Sequence, residues 1–246
     1  MELTKAAYSL FEHLMPKPRG SLTISHYDAL RAILYVAENG CKWRKLPREY
    51  GNWHTVYTRM MRWCKNGVLA KVFAALRQEG VMQIHVKVVS LDSTSIKVHP
   101  DKTGALKKRS SVHRKIPGGW NTKLHLVAAD DRTAVSFMLS RGECHDAPQS
   151  RSLLESIGSV EQPCFLLMDR AYEDNQTREM AASLGYKPVV PPKRNRIDTW
   201  DYDAALYKCR NEVERLFRKL KGFRRVFTRY DKLDVIFLGF VTLALV

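Results

Sequence analysis

Apolar positions along the chain recur with two different periods, and the period changes once. Up to about residue 75 the spacing is helical. Leu30, Ile33, Leu34 and Ala37 mark one apolar face. Ser25 opens that helix as an N-cap, with Asp28 placed for a capping-box-like start, and Gly40 supplies a stop. Trp43, Leu46 and Pro47 make a compact connector, and Asn52 then caps a further helix. On that helix Val56, Met60, Trp63 and Gly67 face one way, while Thr55, Thr58, Arg59 and Arg62 share another face within roughly 100°. Residues 76–84, containing Gly80, read as a junction.

Beyond residue 85 strands and helices alternate. The run from Val86 to Leu91 predicts a strand leading into Asp92, with Ser95 to Val98 extending or following it. Lys123 to Ala128 and Thr133 to Leu139 predict a hairpin joined at Asp130-Asp131. A helix over 146–157, a buried strand over 163–168 delivering Asp169, a helix over 173–184 and a strand over 186–190 follow. Pro191 to Arg196 is a rigid basic loop, and a last amphipathic helix carries Tyr207 through Lys221. This order predicts a mixed α/β domain over 81–246, preceded by a small helical, helix-turn-helix-like domain over 1–80.

Charge changes the picture from fold to partner. The 246 residues carry 41 Lys and Arg against 25 Asp and Glu, a formal net charge of +16. Such an excess favours a polyanionic partner, of which nucleic acid is the commonest. The Thr55, Thr58, Arg59 and Arg62 face is thereby a candidate DNA-binding face, against the alternative of a solvated bundle surface. The basic stretches 101–118 and 191–196 are candidates for tracking phosphates. Five scattered cysteines, none spaced as C-x-x-C, argue against a disulfide framework or a zinc knuckle and suit a reducing cytosol. The start has no signal-peptide layout, and the apolar end VIFLGFVTLALV is too short to span a bilayer.

The last helix concentrates the chemistry. Arg210, Glu214 and Lys221 fall within roughly 60° of Tyr207 on a helical wheel, whereas Glu212 points about 140° away. An acid flanked by a phenol, a guanidinium and an ammonium suits a phosphodiester: the acid holds a divalent cation and the donors hold phosphate oxygens. Arg218 lies close to the Glu214 direction. Val213, Leu216, Phe217 and Leu220 form an adjoining core side. Asp92 and Asp169, each at a predicted strand end, are the other carboxylates that could join Glu214. Taken singly, each aspartate reads as a turn or capping residue and Glu214 as part of a surface ion pair. Clustered, the three would select hard cations, magnesium or manganese, over zinc.

Tyr207-x2-Arg210-x3-Glu214-x6-Lys221 resembles the signature of bacterial insertion-sequence DDE transposases. Leu91-Asp92-Ser93-Thr94 and Met168-Asp169-Arg170-Ala171-Tyr172 resemble the first two acidic motifs of that family. The leader with Gly40, Trp43-Arg44, Leu46-Pro47, Gly51, Trp53, Val56-Tyr57 and Trp63 is similar to that of the insertion-sequence-five-like group. Ala171 departs from the glycine that many members carry there. The resemblance implies a ribonuclease-H-like catalytic domain in which Asp92, Asp169 and Glu214 bind two divalent metals. It further implies that Tyr207, Arg210 and Lys221, with Arg218 beside them, hold phosphates of terminal DNA. Double-stranded DNA partners, a homodimer assembled on DNA and a bacterial cytoplasmic, nucleoid-associated location follow from the same resemblance. Two other readings use the same residues: a ribonuclease-H-like nuclease or resolvase without strand transfer, and a catalytically inactive DNA-binding repressor. The histidines lack paired ligand spacing and Gly118-Gly119 precedes no Lys-Ser/Thr, so zinc and nucleotide hydrolysis have no support.

Overall fold

The computed structural model describes residues 3–17, 20–82, 87–99, 114–116 and 119–246. The chain divides into two compact units. One gathers the residues up to Gly80 together with Leu220–Val246, and the other runs to Lys219 from the first sheet strand. In this division the C-terminal segment Leu220–Val246 groups with the N-terminal helices.

In the helical unit α1 (Lys5–Phe11), α2 (His26–Asn39), α3 (Trp53–Lys65) and α4 (Val68–Met82) come first in the chain. The caps are those the sequence predicts. Ser25 Oγ accepts from Asp28 N and donates to Asp28 Oδ2, and Asn52 Oδ1 accepts from His54 N. Gly40 ends α2 at φ 66°, where a Cβ would also stand 2.8 Å from Arg224 Cβ, so both backbone and space require glycine. Helix α4 runs on through Gly80 to Met82, and the boundary between the two units falls after Gly80.

The second unit is built on a mixed sheet. β1 (Val88–Val98), β2 (Arg114–Ile116), β3 (Gly119–Ala128) and β4 (Ala134–Arg141) are followed by α5 (Asp146–Ile157) and β5 (Cys164–Met168). Then come α6 (Asn175–Ser183), β6 (Tyr186–Val189), the short α7 (Ala204–Tyr207) and α8 (Asn211–Gly222). The strand order is β3-β1-β5-β6, with β2 and β4 both pairing β3. β3 is antiparallel to β1, while β1, β5 and β6 are mutually parallel. This is the mixed α/β arrangement expected above. The basic stretch 101–118 lies outside the described residues apart from β2.

Side chains of Val89, Leu91, Leu166 and Met168 form one core with Leu153 and Leu154 of α5 and Ala181 of α6. Back in the helical unit, α9 (Arg224–Phe227) leads to α10 (Asp234–Leu245), the buried apolar helix expected at the end of the chain. Gly239 lets α10 lie against Cys64 of α3, where a methyl group would overlap the sulfur.

His125 of β3 is fully buried, and its Nε2 lies 2.7 Å from Ser140 Oγ. Burial first of all, then Lys123, lowers its pKa from 6.5 to about 4. The folded protein therefore refuses a proton that the unfolded chain accepts between those two values. The His125 contribution to stability is complete above pH about 6.5 and falls away as the pH drops toward 4, by on the order of 3 kcal/mol. Thermal melting across this range should show a steeper acid loss for wild type than for His125→Gln. Parallel curves would exclude His125 as the titrating group.

Candidate active site

Strand alternation places the first acid. Leu91 faces the core beneath α5 and α6, so Asp92, the next residue, is turned to the opposite face of the sheet. The sequence predicts Asp92 at a strand end, yet β1 continues to Val98. What ends there is its pairing with β5: the last parallel pair is Leu91 with Met168. Asp92 and Asp169 therefore follow one another at the point where the two strands part. Asp169 caps a 3-10 turn over Arg170–Tyr172 and accepts from Arg170 N at 2.6 Å, as Asp92 does from Ser93 N at 2.7 Å.

The third acid arrives on α8. Tyr207 ends α7 and Arg210 ends a 3-10 turn, so the single helix expected over Tyr207 to Lys221 is locally tightened before Asn211. The backbone remains right-handed helical throughout, and the polar face survives. Arg210 bridges two acids far apart in sequence. Its Nη1 donates to Asp92 Oδ2 at 2.9 Å and its Nη2 to Glu214 Oε1 at 2.6 Å. Its guanidinium also lies 5.8 Å from the centre of the Tyr207 ring. Glu212 pairs instead with Arg215, away from this cluster. On the far side of α8, Val213, Leu216, Phe217 and Leu220 are buried, and Lys219 holds Asp131 of the β3–β4 turn.

The electrostatics follow from burial. Desolvation pushes the Asp92 carboxyl above its usual range, opposed by the Ser93 N–H and Arg210 and reinforced by Asp169 and Glu214. Burial also raises the Tyr207 phenol. For Arg210 burial pulls the other way, but Asp92, Tyr207, Asp169 and Glu214 together outweigh it and keep the guanidinium firmly charged. Arg210 thus bridges two carboxylates, and the charge of Asp169 is felt by both Asp92 and Arg210. As placed, Arg210 stands between Asp92 and Glu214, and among the described residues no three Asp, Glu, His or Cys side chains form a metal cage. The donor set is nevertheless all hard oxygen, already balanced by a cation, which is the chemistry a magnesium or manganese ion requires.

The outer residues are less uniform. Arg218 is exposed and Lys221 half-buried, further along α8. On α3, Arg62 is exposed and Thr55 half-buried, while Thr58 Oγ1 donates to His54 O of its own helix. Arg59, also on the expected DNA face, is engaged within the unit. Its Nη1 donates to Ile24 O at 2.5 Å and Ser25 O at 3.0 Å, tying α3 to the start of α2. In the 191–196 loop, Lys193 and Arg196 both pair with the buried Glu173, whereas Arg194 is exposed. Tyr172, which follows Asp169 by three residues, is 1% exposed. It packs into the core with Leu91 and Met168, and burial holds its hydroxyl protonated.

Residues 87–246 match the family model described as "Transposase DDE domain". The chain belongs to this family. Residues 3–73 match a second model, "Putative transposase of IS4/5 family". A Brucella ovis protein named "Putative transposase for insertion sequence element IS6501" is 34% identical over 126 residues, 50% of this chain and 93% of that protein. A Burkholderia cepacia protein named "Insertion element IS402 uncharacterized 16.2 kDa protein" is 32% identical over 101 residues, 37% of this chain and 69% of its own length. Among solved structures, a piggyBac transposase synaptic complex with hairpin DNA is 10% identical, with a TM-score of 0.38 over 76% of this chain and 47% of that one. The DDE transposase is an enzyme of DNA transposition, and its family implies dependence on a divalent metal. Among the described residues of the transposase no helix is long and apolar enough to cross a membrane.

Proposed function

We propose that this transposase cuts DNA at the ends of its element and joins the freed strand to target DNA, using Asp92, Asp169 and Glu214 as the metal-holding acids. The observation that carries this reading is the Arg210 bridge, which joins Asp92 to Glu214 beside the Asp92/Asp169 strand pair. When bound between the three acids, magnesium or manganese, two ions by family expectation, would activate the attacking oxygen and stabilise the leaving one.

The protein's own part is positional. β1 and β5 hold two carboxylates side by side, and α8 supplies the third from its first turn. For a carboxylate to turn to a cation, Arg210 must release it, and the guanidinium donors then become available to a phosphate. Tyr207, Lys221 and Arg218 line the same helix as further phosphate contacts. Thr55, Thr58 and Arg62 of the helical unit, with exposed Arg194, are the remaining candidates for DNA contact, and terminal inverted repeats are the expected substrate. Two copies of the chain acting on two element ends, in a bacterial cytoplasm at the nucleoid, complete this reading.

Cleavage of an inverted-repeat duplex with magnesium tests it. Glu214→Gln should lower both cleavage and strand joining by at least about a thousandfold, because the amide keeps the shape but not the charge. Wild-type cleavage by this variant removes Glu214 from the chemistry. Nicked products that never become joined would reassign the enzyme as a nuclease.

A further inference from the structure

The helical unit holds a cavity of about 260 Å³ that the active-site chemistry does not use. Trp43, Trp53, Tyr57 and Tyr230 line it, together with Lys232 and the Arg225/Asp231 pair. Its lining is drawn from two distant stretches of sequence, the connector and start of α3 on one side and the segment between α9 and α10 on the other.

Three features distinguish it from a packing defect. Its charges are buried: Arg225 is 5% exposed and Asp231 8%, with their closest charged atoms 3.7 Å apart. Burying such a pair is commonly less stabilising than filling the same volume with apolar side chains. Polar capacity is also left over. Arg225 Nη2 donates to Cys41 O, yet Arg225 Nε and Trp43 Nε1 have no hydrogen-bond partner among the described residues. Finally, the aromatic surface is not closed off. Tyr230, at its rim, is 39% exposed.

We infer that this cavity receives one unstacked nucleobase of single-stranded DNA, its base against the aromatic lining and its phosphate near Lys232. The volume lies just below the range of about 300–1,000 Å³ for small-molecule pockets, which suits one ring system rather than a dinucleotide. Aromatic faces combined with cations are the chemistry of single-strand binding, in which stacking tolerates any base and cations follow the backbone. The ligand class rests on the transposase reading, since cutting and joining DNA exposes unpaired strand. The site itself rests on the cavity.

The test uses the full chain and tryptophan fluorescence. A short single-stranded oligothymidylate should quench emission, and a blunt duplex of equal length should not. Trp53→Ala should weaken single-strand affinity about tenfold or more, whereas Trp53→Phe should retain most of it. Lys232 is exposed, so Lys232→Ala should fold normally, weaken binding and reduce the salt dependence by about 0.7 in log–log slope. Equal quenching by the blunt duplex overturns the inference. So does wild-type affinity and slope in Lys232→Ala, which decides the matter if Trp53→Ala fails to fold. Asp92→Asn should keep the quenching. Cleavage with no single-strand quenching sinks only this pocket, and quenching with no wild-type cleavage sinks only the proposed active site.

Discussion

Asp92→Asn is expected to lose metal-dependent strand cleavage by at least about a thousandfold while melting at or above the wild-type temperature. The two halves of this result have one cause. Asp92 sits where β1 parts from β5, largely desolvated, with two other carboxylates nearby, and its pKa is raised accordingly. A raised carboxyl pKa means that the folded state binds its proton more tightly than the unfolded chain does. The associated stability is present below the unfolded value and is lost as the pH rises through the folded one, so at neutral pH the charged form is a burden on the fold. Asparagine removes that charge, keeps an oxygen to accept from Ser93 N, and leaves Arg210 paired with Glu214. It also removes the hard anionic ligand that a divalent cation needs. Cleavage within tenfold of wild type would exclude Asp92 from the reaction, and a large drop in melting temperature would make it a structural residue.

The second large effect lies in the helical unit and concerns stability alone. Arg229 is fully buried, its Nη2 pairs with Asp234 at the start of α10, its Nε donates to Asp231 O at 3.2 Å, and its guanidinium lies 5.0 Å from the Phe237 ring centre. Burial lowers the Arg229 pKa, and the hydrogen bond and charge of Asp234 oppose that shift. Asp234→Ala removes this support and leaves a desolvated cation, at a cost of about 3–5 kcal/mol. For a chain of this length that corresponds to a melting temperature lower by roughly 10 °C. The double variant Arg229→Met, Asp234→Ala should recover most of the loss, because it removes both charges together. If Asp234→Ala melts within about 2 °C of wild type, Asp234 is not what sustains the buried arginine.

Much of the local structure was legible because its determinants are local. Ser25 and Asn52 cap their helices through hydrogen bonds to residues within the next turn. The α5 boundaries and the β3–β4 hairpin likewise follow from periodicity and short-range turn chemistry. Contacts that could not be read have the opposite property. Arg59 has the spacing of an outward basic face, but the carbonyls it binds belong to residues 24 and 25, which no helical wheel can register.

The sequence by itself determined the element types, the basic character, the polar face shared by Arg210 and Glu214, and the residues by which the chain resembles DDE transposases. These depend on composition and on contacts within a few residues. Only the tertiary structure decided that β1 and β5 run parallel and separate after Leu91/Met168, that Arg210 spans from Glu214 to Asp92, that Leu220–Val246 joins the helical unit, and that Trp43 and Tyr57 share a cavity with Tyr230 and Lys232. Each of these pairs groups separated by scores of residues. Burial and strand register bring them together, and neither is a property of any short stretch of chain.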